Sequence, residues 1–170
     1  MFLLYFKELE KEGKSLYMQN YENNQPMFGL DKLYLKDASI EVPNAPNIFL
    51  NGEQPKIDLN LQFNTVKIDD GVYETILNAK LDAKIGDQQM FLIELEQAGI
   101  FQIRNIPEDQ LELIQNIDCP NLVFPYLREA VSDLTTKAGF LPIVLSPVNF
   151  AYLYQQKKQN EEQEKNMTIN

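Results

Sequence analysis

The chain has 170 residues, of which 44% are hydrophobic and 24% are charged, which is the composition of one globular domain with an ordinary core. Its 25 acidic and 15 basic residues give a formal net charge of −10 at pH 7, which repels phosphate backbones and makes nucleic acid an unexpected partner. With no histidine and only one cysteine, the chain cannot form a Ser-His-Asp triad, a Cys-His pair, a histidine-ligated metal site or an intramolecular disulfide.

Residues 1–29 are predicted to be an extension that lies outside the folded domain. The apolar start at 1–6 is too short to span a bilayer, which takes about 20 residues, and it lacks the flanks of a secretory signal. We therefore expect a cytoplasmic protein without direct membrane insertion. The Asn- and Gln-rich stretch 18–26 is expected to be disordered. Two hypotheses stay open for what precedes it: translation starts at Met18, or residues 2–12 form a short amphipathic helix.

Four strands are predicted in the first part of the chain. Apolar and polar side chains alternate with the two-residue period of a strand cleanly between Ile57 and Phe63 and imperfectly between Leu30 and Glu41, and the stretches 72–85 and 90–101 are mostly strand-like. The turn sequence Gly86-Asp87 favours a hairpin between the last two strands. The predicted strands are 30–41, 57–63, 72–85 and 90–101. We expect them to form a meander-like antiparallel sheet.

Two helices are predicted directly after the sheet. Pro107 followed by two acidic residues is typical of a helix start. This short helix is expected to end at Cys119, before a longer helix that spans 120–138. The apolar stripe of the longer helix is wider than one core face needs, so two roles stay open for it: core alone, or core on one side and a subunit interface on the other.

A third helix is predicted near the end of the chain. Ser146 is the candidate N-cap and Pro147 the first helical residue. The polar tail 155–170 is expected to be disordered, because it carries almost no apolar side chain. Strands followed by helices indicate an α+β fold, with one domain over 30–154.

Acidic residues recur on two of the predicted strands. Asp37 and Glu41 lie four residues apart, and Glu94 and Glu96 lie two apart, so each pair shares a face of its strand. If the two strands are neighbours, the four acids form one exposed face that suits a basic partner. A solvated strand face is the alternative, and catalysis is disfavoured because nothing indicates the burial that shifts a carboxyl pKa. Cys119 has no base beside it and is expected to be a small buried hydrophobe.

Four segments, in order, resemble the SecB family of protein-export chaperones. They are EVPNAP at 41–46, QAGIF at 97–101, CPNLVFPYLRE at 119–129 and GFLPIVLSPVNF at 139–150. The resemblance covers about residues 33–154, and neither 1–17 nor 155–170 takes part in it. It implies an α+β fold with a four-stranded antiparallel sheet and C-terminal helices packed on one face.

The resemblance also implies a function. SecB proteins are ATP-independent holdases without a cofactor or a bound metal, and they are not enzymes. They bind unfolded precursor polypeptides in the cytoplasm, keep them competent for translocation and deliver them to the SecA motor. They assemble as homotetramers, built as dimers of dimers. The alternative is a dedicated adaptor, or a chaperone linked to a toxin–antitoxin pair, on the same scaffold.

The resemblance assigns residues to three surfaces. Contact with the basic, zinc-bearing tail of SecA is implied for Asp37, Glu41, Leu92 and Glu94. An apolar client-binding groove is implied for Ile57, Leu59, Leu61, Ile143 and Tyr154. The oligomer interface is implied for Ile93, Leu95, Gln97, Leu122, Tyr126, Leu127 and Ala130. Glu53 stands where relatives often carry Trp, so one edge of the groove is expected to be less apolar.

Overall fold

The computed structural model describes residues 25–168, which contain four strands followed by helices. The strands are β1 (Met27–Glu41), β2 (Lys56–Asp69), β3 (Val72–Ile85) and β4 (Gln88–Arg104). The helices are α1 (Glu108–Leu113), α2 (Cys119–Lys137) and α3 (Phe150–Thr168), with a 3-10 turn at Asn47–Leu50 and a π turn at Ile114–Asp118. The predicted α+β class is confirmed. The hypotheses about residues 1–24 concern a part of the chain that lies outside the described residues.

The sheet has the order β1-β4-β3-β2, and all neighbouring strands are antiparallel. The predicted meander is correct for β2, β3 and β4 but wrong for β1. The connection after β1 carries Pro43 and Pro46, which cannot continue a strand, and it leads the chain across to the opposite edge of the sheet. The first strand therefore pairs with the last, which is a Greek-key arrangement.

Three strands are longer than predicted, including β4, which extends from the predicted 90–101 to Gln88–Arg104. β1 begins at Met27, three residues before the predicted start, and β2 continues past Phe63 to Asp69. Along β2 the apolar side chains change faces after Phe63. Val66 is 40% exposed on the face that carries polar residues earlier in the strand, and Ile68, at the irregularity between Lys67 and Asp69, is 51% exposed. A prediction that expects apolar side chains on only one face of a strand ends β2 at Phe63. The β-branched residues that follow nevertheless favour a strand there.

The core lies between α2 and the central strands β3 and β4. The side chains of Leu77, Leu81, Ile93, Val123 and Leu127 have no exposed area, and they belong to one continuous cluster. A Cβ added to Gly99 of β4 would lie 3.0 Å from Cγ2 of Val123. Helix α2 can therefore approach the sheet closely because this position is a glycine.

The predicted break between the first two helices is absent. The chain stays helical from α1 to α2 through the π turn Ile114–Asp118, and Pro120 occupies the start of α2. The backbone N–H of Cys119 bonds the carbonyl oxygen of Ile114, so Pro120 stands in a continuous helix and removes one backbone donor from it.

The last helix differs from its prediction at both ends. It begins at Phe150, and the side-chain oxygen of Asn149 accepts a 3.0 Å hydrogen bond from the backbone N–H of Tyr152. The N-cap is therefore Asn149 and not Ser146. The half-buried Val148 packs against the core directly before the helix begins. As far as the tail is described, α3 continues to Thr168, and Lys158 pairs with Glu112 of α1. None of the helices within the described range is long and apolar enough to cross a membrane.

Candidate functional site

Five residues form an acidic patch on the face of the sheet that points away from the helices. In the pairing of β1 with β4, Asp37 lies opposite Glu96 and Glu41 lies opposite Leu92. Glu94 lies between Leu92 and Glu96 on the same side of β4. We call Asp37, Glu41, Leu92, Glu94 and Glu96 the acidic face. Because β1 and β4 are neighbours, the condition set by the sequence is met, and the four acids share one side of the sheet. The binding role of this face stays a prediction.

A cation that the sequence patterns did not reveal lies next to this acidic face. Lys80 of β3 is directly opposite Glu94, and its Nζ atom is 2.5 Å from Oε1 of that residue. The pKa of Lys80 is raised by its hydrogen bond to Glu94 and by the negative charges of Glu94, Asp82 and Glu41. Lys80 and Asp82 are two residues apart, so the sequence could have shown that they share a face of β3. Only the pairing of β3 with β4 identifies Glu94 as the partner of Lys80.

The edge strand β2 carries an apolar row on the opposite, helix-covered side of the sheet. In the register with β3, Ile57 faces Ala83 and Leu59 faces Leu81, both of which belong to the core. Yet Ile57 is 41% exposed and Leu59 44% exposed. Leu61 follows in the same row and is partly buried against the core. The structure thus brings the three predicted β2 residues of the groove into one row.

Aromatic side chains extend this row, which the groove prediction omitted. Phe63 is the next apolar residue in the row, and its ring centroid is 5.3 Å from that of Phe150. Beyond the other end, the ring of Phe140 lies 5.2 Å from both Phe49 and Phe91. The two-residue period continues through Phe63 and could have included it. The contacts of Phe140 depend on tertiary packing.

The two remaining groove residues lie on separate elements. Ile143 packs against the core after α2, and its backbone N–H donates a 3.1 Å hydrogen bond to Oγ1 of Thr135. Tyr154 lies one turn after Phe150 on α3, with the ammonium of Lys158 5.5 Å from its ring centroid. We use the name apolar row for Ile57, Leu59, Leu61 and Phe63. Neither Ile143 nor Tyr154 belongs to the row, although Tyr154 follows Phe150 by one turn of α3.

Most of the predicted interface residues are buried within this single chain. Odd-numbered side chains of β4 point toward α2, so Ile93, Leu95 and Gln97 are at most 4% exposed, and Leu127 and Ala130 fill the facing side of the helix. Ile93, Leu95 and Leu127 belong to the core cluster, whereas Gln97 and Ala130 also line the cleft beside α2. The interface role of these residues stays a prediction. Leu122 and Tyr126, 43% and 51% exposed, are the two that α2 leaves on the surface.

The exposed side of α2 borders a shallow cleft against β1. Its volume is about 330 Å³, and its lining includes Leu35, Tyr126 and Leu134 together with the charged Glu129 and Lys137. Leu35 itself is 50% exposed. The mixed lining and the exposed apolar side chains are typical of a surface that associates with another protein.

Cys119 is buried, as expected. Burial raises the pKa of its thiol to about 12, so the group is neutral at physiological pH. A neutral, inaccessible thiol is a poor nucleophile.

Comparisons with known proteins agree on one family. The family model described as preprotein translocase subunit SecB matches residues 21–161. The chain is 51% identical over 141 residues to the protein-export protein SecB of Nitrosospira multiformis, which is 83% of this chain and 89% of that protein. It is 52% identical over 140 residues to the protein of the same name from Dechloromonas aromatica, which is 82% of this chain and 92% of that protein.

A solved structure agrees with the sequence comparisons at the level of the fold. A SecB-like chaperone of Mycobacterium tuberculosis, in complex with a peptide from an antitoxin, matches with a TM-score of 0.59 and 19% sequence identity. The match covers 71% of this chain and 90% of that one. The four-stranded antiparallel sheet with its helices is therefore shared with a SecB-like chaperone.

Proposed function

The chain belongs to the SecB family and is a chaperone for protein export, and from this we propose that it holds unfolded precursors on its apolar row and passes them to SecA through its acidic face. The family membership confirms the resemblance carried by the four sequence segments. The relatives are named for protein export, so the dedicated adaptor is not favoured. We place the protein in the cytoplasm and assign it no enzymatic activity.

The exposure of the apolar row is the observation that carries the client-binding part of the proposal. Ile57 and Leu59 are more than 40% exposed although they continue the core side of the sheet. A contiguous exposed apolar surface is unfavourable in water and is typical of a binding site. Unfolded polypeptides offer apolar side chains that cover such a row without requiring a particular fold.

The position of β2 at the sheet edge supports binding of extended segments. Within the described part of the chain, β2 pairs with β3 and lies at the end of the strand order. The other edge strand, β1, is interrupted by two irregularities, whereas β2 has one, near its end. A regular edge can accept an extended chain through its backbone groups, which makes recognition tolerant of sequence. The peptide-bound state of the Mycobacterium tuberculosis chaperone is consistent with this idea.

The acidic face supports the SecA-binding part of the proposal. Asp37, Glu41 and Glu94 are exposed, and Leu92 adds a half-buried apolar contact between them. A surface of this kind attracts a basic partner and fixes its orientation. The apolar row lies on the opposite side of the sheet, so a client and SecA need not compete for the same residues.

The remaining exposed apolar residues support self-association of the chain. We propose a homotetramer, a dimer of dimers, in which Leu122 and Tyr126 contact another copy beside the cleft between β1 and α2. Native mass spectrometry tests this assembly. A species near four times the 19.7 kDa of one chain is expected, and a monomer at micromolar concentration would contradict it.

The division of labour between the two surfaces is tested by charge reversal. A double variant, Asp37→Lys with Glu94→Lys, is expected to lose SecA binding and still suppress the aggregation of several unrelated unfolded proteins. The matched control is Asp31→Lys with Asp87→Lys, which changes the net charge equally at exposed positions outside the acidic face. Loss of both activities in the first variant, with a normal melting temperature, would show that the two surfaces are not separate. Suppression limited to one client would favour the adaptor.

A further inference from the structure

Lys80 is the one lysine of the described chain that forms an ion pair with the acidic face. Its Nζ atom lies 2.5 Å from Oε1 of Glu94, and the two side chains are 54% and 52% exposed. Two lysines of the neighbouring region pair with carboxylates outside the acidic face, Lys36 with Glu74 at 2.9 Å and Lys84 with Asp82 at 2.8 Å. Asp37, Glu41 and Glu96 form no ion pair among the described residues.

We propose that Lys80 is a built-in counter-ion that competes with the basic partner for Glu94 and thereby limits the affinity of the acidic face. This inference rests on the proposed function, because it concerns regulation of the surface assigned to SecA. A chaperone has to release its delivery partner, and a resident cation weakens the complex without removing any of the acidic contacts.

The geometry of the pair makes Lys80 displaceable. Both side chains are about half exposed, and exposed pairs of this kind change an equilibrium by up to about fivefold. A basic partner that contacts Glu94 therefore has to break this pair first. After displacement, the ammonium group still lies on β3 next to the acidic face, where it repels the incoming positive charge.

Other charges around Lys80 hold it in this position. The pKa of Lys80 is raised by the hydrogen bond that it donates to Glu94 and by the negative charges of Glu94, Asp82 and Glu41. Asn60 of β2 is its neutral neighbour on the other side. Two of these charges, Glu94 and Glu41, belong to the acidic face that the partner is proposed to bind, and Lys80 partly neutralises their negative field.

Lys84 provides a matched control on the same strand. It lies four residues from Lys80, which is about 13 Å along a strand, and it pairs with Asp82. The screening length in 0.1 M salt is about 10 Å, so its effect at Glu94 is small. Lys80→Gln and Lys84→Gln change the net charge of the protein by the same amount. A Lys80→Arg variant keeps the charge and can keep the pair.

The test is a titration of purified SecA against the full-length chaperone at 100 mM and 300 mM salt. At low salt, Lys80→Gln is expected to bind about threefold to fivefold more tightly than the wild type. Lys84→Gln and Lys80→Arg are expected to stay within about twofold of the wild type. The gain is expected to shrink at 300 mM salt, because the interaction is electrostatic and exposed. Suppression of client aggregation should be equal in all variants.

The possible failures are distinguishable. If the wild type binds SecA but Lys80→Gln binds no more tightly than Lys84→Gln, the inference is overturned and the proposed function stands. An equal gain in both glutamine variants also overturns it, because net charge alone would explain the gain. If the wild type does not bind SecA at all, the proposed partner is wrong and the inference falls with it.

Discussion

Replacing Ile57 and Leu59 by serine is expected to weaken client binding without unfolding the sheet. The two side chains are 41% and 44% exposed, and this exposed part is what a client can cover. Complete burial of an Ile or Leu side chain is worth about 1.5–3 kcal/mol. The exposed fractions of the two residues together then contribute about 1.3–2.5 kcal/mol, which corresponds to a loss of affinity of roughly tenfold to seventyfold.

The same strand contains a control for this prediction. Val66 and Ile68 are 40% and 51% exposed, but Val66 lies on the opposite face of β2 and Ile68 stands at the irregularity between Lys67 and Asp69, so neither belongs to the apolar row. The double variant Val66→Ser with Ile68→Ser removes a comparable apolar area from the same edge strand. It is expected to bind clients within about twofold of the wild type, because neither residue is part of the apolar row.

The assay is fluorescence anisotropy with a labelled polypeptide that is permanently unfolded by reduction and alkylation of its cysteines. Dissociation constants are measured for the wild type and both double variants, after native mass spectrometry has confirmed equal assembly. Two results would refute the reasoning. One is wild-type affinity in the Ile57 and Leu59 variant. The other is an equal loss of client affinity in the Val66 and Ile68 variant, which would show that clients bind any exposed apolar residue of β2.

Three further predictions concern stability. Gly99→Ala is expected to cost about 1–3 kcal/mol in urea unfolding, because the added Cβ meets α2 at 3.0 Å, whereas Gly29→Ala, with no atom within 4 Å, should cost less than about 1 kcal/mol. Asn149→Ala is expected to cost about 1 kcal/mol through loss of the cap of α3, and Ser146→Ala less than about 0.5 kcal/mol, which chemical denaturation of both variants will compare. The hydrogen bond from the Tyr34 hydroxyl to Glu74 raises the pKa of that hydroxyl from 10.0 to about 12, with burial and the charge of Glu74 adding to the effect. Its contribution is therefore fully present below pH 10 and lost between pH 10 and about 12, and Tyr34→Phe should flatten the alkaline decline of the melting temperature in that window.

The hairpin of β3 and β4 was predictable because its signals are local. Gly86 adopts a positive φ of 57°, which a glycine accepts without strain, and the flanking stretches alternate in polarity. The polar alternation also indicates which side chains of β4 share a face. Those two facts are enough to place Glu94 and Glu96 on the same side of the strand.

The partner of β1 was not predictable from the chain alone. Pairing of β1 with β4 brings Asp37 beside Glu96, which is distant in sequence, and no local signal favours one sheet edge over the other. The sequence therefore predicts the acidic face only on the condition that the two strands are neighbours. Lys80 was missed for the same reason, since its contact with Glu94 follows from strand register and not from spacing.

The wide stripe of α2 illustrates a different limit. Leu127 is fully buried, whereas Tyr126, the preceding residue, is 51% exposed. Both are apolar enough to belong to a core, so composition cannot assign one to the interior and the other to the surface. The depth at which the helix sits on the sheet decides this, and that depth depends on the absence of a side chain at Gly99.

Strand alternation is what separates the two proposed activities. Asp58 and Leu59 are consecutive on β2, yet Asp58 points to the side of the acidic face and Leu59 to the apolar row. On β4, Ile93 fills the core while Glu94 lies on the acidic face. Because consecutive side chains point to opposite sides, a substitution that preserves the strand changes one surface and leaves the other intact. A client on one side and SecA on the other can then influence each other only through the sheet between them, so a variant that couples the two activities is expected to alter strand pairing as well.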